Sequence, residues 1–206
     1  MLPTPLFGLT LSAAVALGVS ASAQTIELYD GSSTKGMFEY LDFGPSSVVK
    51  DTGSSFTINA AEDSDGAMGI FGILGRNVEG SPVDVDPAVH QLRVEYRFLD
   101  DNKADMFKLV LTDQDDAGTG EQFKFNVTAD ADATETSDGF SELIMNIGAD
   151  DADTRTGGKD AGFSGDGDGE ANYGLTQWQI QSVYGSSTPL HVEIRRIQLV
   201  EIEPGS

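Results

Sequence analysis

The chain has 206 residues, no cysteine, and 34 acidic against 12 basic side chains, a formal net charge of −22. A field of that sign repels duplex nucleic acid and anionic membrane surfaces, so neither is an expected partner. Without cysteine there is no thiol nucleophile and no disulfide staple, so stability must come from core burial, bound metal or both.

Residues 1–19 carry no charged side chain, and 6–17 form an apolar run that leads to Ala21-Ser22-Ala23, the small-x-small pattern of a signal-peptidase site. Only the terminal amine supplies positive charge ahead of that run. It is too short and too abruptly ended for a membrane anchor. The expectation is a signal peptide over 1–23, removed on export to the periplasm, cell surface or exterior, and one domain over 24–206. Nothing later is long and apolar enough to span a bilayer.

Strands are then expected over 25–29, 38–43, 55–60 and 69–74, with the acidic turn Glu62-Asp63-Ser64-Asp65-Gly66 before the fourth. Residues 82–87, which begin and end in proline, read as a loop crossing between sheets. In 91–98 the apolar Leu92, Val94, Tyr96 and Phe98 fall on every second position, as a strand with one buried face requires. The same alternation marks 107–111, 122–127, 177–180 and 190–195, and further strands are expected over 143–147 and 197–202. Acid gathers between them, in 100–105, 113–118, 130–132 and the long, Gly- and Asp-rich 150–170. No long stretch has the spacing of an amphipathic helix. Many short strands between Gly- and Asp-rich turns predict an all-β fold, a two-sheet antiparallel β-sandwich of the jelly-roll kind.

Alternation also sorts the cations. Arg93, Arg97, Lys108, Lys124, Arg195 and Arg196 lie within or beside strands, and the first five are out of phase with the core. Gln177, Gln179 and Gln181 share the solvent phase of their own strand and form a ladder of paired donors and acceptors. Beside Arg93, Arg97, Lys108 and Lys124 they suit a groove for hydroxyls or uronate carboxylates. The same residues are also what an ordinary exposed sheet with cross-strand ion pairs contains. Trp178 is in phase with Ile180, which points to the core; its functional alternative is a platform on which a sugar ring stacks.

Carboxylates one residue apart in glycine-containing turns suit calcium, which takes six to eight oxygen ligands. Asp113, Asp115 and Gly118 match the first half of an EF-hand loop, but Lys124 stands where its bidentate Glu belongs. Asp166 and Asp168 begin a second such run, with Ala171 at the glycine position and Gln177 at the last. Neither loop is an EF-hand, and each also reads as a solvated turn; together they make calcium the expected metal, in a non-EF site between loops. His90 and His191 are not at zinc-ligand spacing, and no G-x-S-x-G elbow occurs.

The strands Val94-Glu95-Tyr96-Arg97-Phe98, Phe107-Lys108-Leu109-Val110-Leu111, Trp178-Gln179-Ile180-Gln181 and Val192-Glu193-Ile194-Arg195-Arg196-Ile197-Gln198-Leu199 together resemble exported bacterial jelly-roll domains of the carbohydrate-binding-module, galactose-binding-like type. The resemblance spans most of residues 24–203. It implies a noncatalytic binder of extracellular polysaccharide. In such modules an acidic residue before an isoleucine in the last strand often helps hold a structural calcium, and Glu193 occupies that place. Two other readings stand beside this one: a structural or surface-associated interaction protein, and a jelly-roll glycoside hydrolase or polysaccharide lyase.

Overall fold

The computed structural model describes residues 25–41, 47–60, 72–83, 85, 89–114, 120–129, 131–147, 174–183 and 188–202. The expected signal peptide, the acidic runs 62–66 and 150–170, and Asp115, Asp166 and Asp168 lie outside the described residues. Twelve strands run in chain order: β1 (Ile26–Tyr29), β2 (Met37–Leu41), β3 (Ser47–Asp51), β4 (Phe56–Ala60), β5 (Gly72–Asn77), β6 (His90–Phe98), β7 (Met106–Gln114), β8 (Gly120–Thr128), β9 (Thr134–Glu135), β10 (Ser141–Asn146), β11 (Leu175–Gln181) and β12 (Leu190–Glu201). The described residues contain no helix.

The strands form two sheets in which every pairing is antiparallel. One has seven strands in the order β3-β4-β12-β6-β10-β9, with β1 also on β12; the other has five, in the order β2-β5-β11-β7-β8. This is the predicted all-β sandwich. Two of its strands were not expected. β3 has only the adjacent pair Val48-Val49, which gives no alternation, and β9 is two residues long. The expected strands 190–195 and 197–202 are a single strand, β12, interrupted by a bulge between Ile194 and Arg196. β4 pairs with β12 before that bulge and β1 after it, so one long strand organises the larger sheet.

The core lies between the sheets. Leu92, Val94 and Tyr96 of β6 and Val192, Ile194, Ile197 and Leu199 of β12 face Phe107, Leu109 and Leu111 of β7 and Phe123, Phe125 and Val127 of β8, all within one buried cluster. Full burial of such a side chain stabilises by roughly 1.5–3 kcal/mol. Trp178 of β11 is completely buried. It stacks on Phe56 at 6.1 Å between ring centroids, and its Nε1–H donates to the Leu28 carbonyl at 3.1 Å. The indole therefore joins the two sheets, β11 on one side and β1 and β4 on the other. Trp178 is not a sugar-stacking platform: its phase with Ile180 took it into the core, where the Leu28 carbonyl satisfies its one polar atom.

Candidate functional site

With the core phase assigned, the opposite phase of each strand defines two outer faces, and they differ in chemistry. On the seven-stranded sheet the face is an ion-pair lattice. The bulge in β12 turns both Arg195 and Arg196 toward Glu95, whose side chain is only 5% exposed: Arg195 Nε donates to it at 2.6 Å, and Arg196 Nη1 lies 3.7 Å away. Arg93 reaches Glu95 at 3.4 Å and pairs with Glu142 across β6 and β10. Arg97 pairs with Glu193, and Arg195 with Asp138. Arg97 and Arg195 also cover the Phe140 ring, with guanidinium carbons 4.5 and 4.3 Å from its centroid. Each arginine of this face thus has a carboxylate within the face.

Glu193 also accepts a hydrogen bond from Ser55 Oγ. Burial opposes its ionisation, but the Ser55 bond and the Arg97 guanidinium outweigh burial and hold the carboxyl below its ordinary value. The residue expected to ligate calcium therefore has Ser55 and an arginine as its partners. Asp113, the other described residue of the expected calcium set, sits near the end of β7, opposite Leu175 and Glu121 in register. Among the described residues no three His, Asp or Glu side chains cluster closely enough to hold a metal ion.

Among the described residues, the outer face of the five-stranded sheet shows no comparable arginine–carboxylate lattice. One register row crosses all five strands: Phe38 opposite Gly75, Gly75 opposite Gln179, Gln179 opposite Val110, and Val110 opposite Lys124. Phe38 can rest on the sheet because its neighbour has no side chain. A Cβ built on Gly75 would come within 2.6 Å of Phe38 Cζ, 2.6 Å of the Trp178 carbonyl oxygen and 2.9 Å of Gln179 Cγ. The next row places Gln181 opposite Lys108 and Lys108 opposite Asn126. On the other side, Gln177 lies opposite both Asn77 and Thr112.

Along β11 the three glutamines form a directional chain. Gln181 Nε2 donates to Gln179 Oε1 at 2.7 Å, Gln179 Nε2 donates to Gln177 Oε1, and Gln177 Nε2 donates to Asn77 Oδ1 at 3.0 Å. A primary amide has two N–H donors and two acceptor lone pairs, so each ladder bond leaves capacity for a further partner. Exposure falls toward the middle of the face: Gln179, Gln181 and Thr112 are nearly buried and Val110 fully so, while Phe38, Lys108, Lys124 and Asn126 are half-buried. The face is a strip whose amides lie in its buried middle. Thr112 Oγ1 is buried there without a hydrogen-bond partner, an open bond opposite Gln177. Beyond the Gln181 row the strip meets a cavity of about 250 Å³ lined by Met106, Ser182, Val183 and Thr188 among others.

The sandwich divides the expected ligand groove. Gln177, Gln179, Gln181, Lys108 and Lys124 do share one face, but Arg93 and Arg97 lie on the opposite sheet, facing away from it and engaged by Glu142 and Glu193. Alternation reports which side of its own strand a residue occupies, not which sheet the strand joins. Phe38, Gly75 and Thr112 were missed as site residues. The signal for Gly75 was a glycine inside a strand, which often marks close approach of another group.

No protein-family model matches the sequence, and no curated protein sequence does. Solved structures with the same fold include the family 11 carbohydrate-binding module from Clostridium thermocellum in complex with a β-1,3-1,4-mixed-linked tetrasaccharide, at 12% identity and a TM-score of 0.60 over 88% of this chain and 97% of that one. A family 30 carbohydrate-binding module aligns at 12% identity and a TM-score of 0.51 over 87% and 99% of the two chains. An agarase aligns at 10% identity and a TM-score of 0.51; 87% of this chain matches 25% of that larger chain. At these identities the likeness is one of fold.

Proposed function

We propose that the protein is an exported, noncatalytic polysaccharide-binding module that holds a glycan chain across the outer face of its five-stranded sheet. The observation that carries this reading is the strip itself: an aromatic side chain whose ring tip lies over Gly75, followed across the strands by the glutamine ladder. A sugar ring presents both an apolar C–H face and hydroxyls that donate and accept. The first suits Phe38 and the second suits amides with spare capacity in both senses. Across five strands at roughly 4.8 Å spacing the strip is about 19 Å wide, long enough for a short run of sugar units. Support for the reading also comes from fold relatives whose descriptions name carbohydrate binding. The carboxylate-rich loops between strands are the proposed seat of calcium, with Asp113, Asp115, Asp166 and Asp168 as its ligands.

A glycan array probed with the wild-type protein, Phe38→Ala, Gln179→Ala and Arg97→Ala, with and without a chelator, tests this. Binding is expected to fall about five- to thirtyfold in the first two variants, since each removes on the order of 1–2 kcal/mol of stacking or hydrogen bonding, and to persist in Arg97→Ala. Chelator is expected to weaken binding and lower the melting temperature. Failure to bind any glycan would overturn the reading, and so would binding lost in Arg97→Ala but retained in Phe38→Ala.

A further inference from the structure

The strip does not stop at the Gln181 row. Gln181 of β11 is opposite Lys108 of β7, and the two strands are antiparallel, so Val183 and Met106, each two residues farther along, stand at the same end of the sheet. At roughly 3.3 Å per residue they lie about 7 Å beyond that row. Both line the cavity of about 250 Å³ that the strip meets there. A glycan crossing the strands along the Phe38, Gly75 and Gln179 row has this cavity on one flank. The cavity is displaced along the strands while the glycan runs across them, which places it beside the main chain and not at its end.

The walls of the cavity are mixed in chemistry. Met106, Val183 and Leu190 supply apolar surface, Ser182 and Thr188 are hydroxyl residues, and Asp105 is the one charged residue in the described lining. Pockets for drug-sized ligands run from about 300 to 1,000 Å³, so this one has room for about one sugar unit. A sugar unit has an apolar C–H face and a hydroxyl edge, and the lining offers a counterpart to each. An anionic unit would meet the Asp105 carboxylate with no cation in the described lining to offset it. The walls are also fixed before any ligand arrives. Lys103 N–H and Ala104 N–H both donate to the Pro189 carbonyl at 3.0 Å. Asn102 accepts from His191 N–H at 2.9 Å and donates to the Ala104 carbonyl at 2.8 Å. These bonds tie the segment before β7 to the segment before β12, and both segments border the cavity. Filling a cavity whose walls are already held costs little ordering.

From this we infer that the ligand is a neutral, branched polysaccharide, its main chain on the strip and a single-sugar branch in the cavity. The inference rests on the proposed function, because the strip sets where a branch can reach. It also gives the protein a means of discrimination, since a linear chain leaves the cavity to water and forgoes its contacts.

The test titrates the full chain with oligosaccharides matched in main-chain length: galactosylated against linear manno-oligosaccharides, xylosylated against linear cello-oligosaccharides, and arabinosylated against linear xylo-oligosaccharides. In a pair whose main chain binds, the branched member is expected to bind at least about fivefold more tightly, the worth of one or two hydrogen bonds. Val183→Phe fills the cavity, and the ratio of branched to linear affinity should fall toward unity. If thermal unfolding shows that this variant does not fold, Ala104→Leu fills the cavity from the loop side and carries the same expectation. Equal or weaker binding of the branched member in every pair that binds would overturn the inference, and so would a preference that survives filling of the cavity. If linear oligosaccharides bind in a Phe38-dependent way with no gain from a branch, the branch site is wrong while the strip stands. If no oligosaccharide of any pair binds, both fail.

Discussion

Gly75→Ala should damage both the fold and the strip, and the two effects are separable. The φ of Gly75 lies outside the left-handed region, so the penalty is steric and not conformational. The added methyl would stand 2.6 Å from Phe38 Cζ and 2.9 Å from Gln179 Cγ, both side-chain atoms that can swing away, and 2.6 Å from the Trp178 carbonyl oxygen. That last atom belongs to the backbone of β11, which is paired to β5 along its length, and it can retreat only if the pairing opens. Overpacking of this kind costs about 1–3 kcal/mol, which for a domain of this size lowers the melting temperature by roughly 2–12 °C. Phe38 must also lift from the sheet, and glycan affinity should fall about fivefold or more through loss of the seated ring. Calorimetry and glycan titration of the wild type, Gly75→Ala, Phe38→Ala and the double variant measure both effects. Removing the ring relieves one contact of the new methyl but not its contact with the Trp178 carbonyl. The stability losses should therefore be less than additive, with Gly75→Ala still destabilising in the Phe38→Ala background. A Gly75→Ala protein with wild-type melting temperature and wild-type affinity would refute this account of how Phe38 is seated.

Three further outcomes follow from the rest of the molecule. Trp178→Phe removes the indole donor from the Leu28 carbonyl, and a loss of about 1–3 kcal/mol is expected in urea unfolding; Trp178→Ala should lose about 3–5 kcal/mol, and an unchanged midpoint in both would contradict the bridging role of the indole. Glu193 is held below its ordinary value of 4.5, so its contribution to stability is present above that pH and is lost as pH falls through the lower folded value. Glu193→Gln should flatten this acid-side loss, and denaturant midpoints measured from neutral to acid pH would refute the assignment if the slope were unchanged. Arg97→Ala strips Glu193 of its cation and uncovers one side of Phe140. With the Arg97 side chain 39% exposed, solvent screening limits the loss to about 1–2 kcal/mol, read by thermal unfolding; no loss would mean that the lattice contributes nothing.

Where alternation is strict, it fixes which side of the strand is buried. Leu92, Val94 and Tyr96, and likewise Phe123, Phe125 and Val127, are buried as their positions require. Adjacent apolar residues, as in β3, carry no phase, so that strand is not legible in the sequence. The glutamine ladder was legible because residues at i, i+2 and i+4 of one strand must share a side whatever that strand pairs with. Phe38 was not, because its role depends on Gly75, a neighbour across the sheet and far away in sequence.

By itself the sequence determined that this chain builds a sandwich of short antiparallel strands, that Gln177, Gln179 and Gln181 stand together, and that cations sit on strands while acid gathers in loops. It could not determine that Arg93 and Arg97 would leave the glutamines and join a lattice with Glu193 and Glu142, nor that Lys108 and Lys124 would stay with them. A period of two is a local property of extended backbone, set by the pleat. The partition of strands between two sheets is set by which hydrophobic faces bury one another, and only the packed tertiary structure decides that.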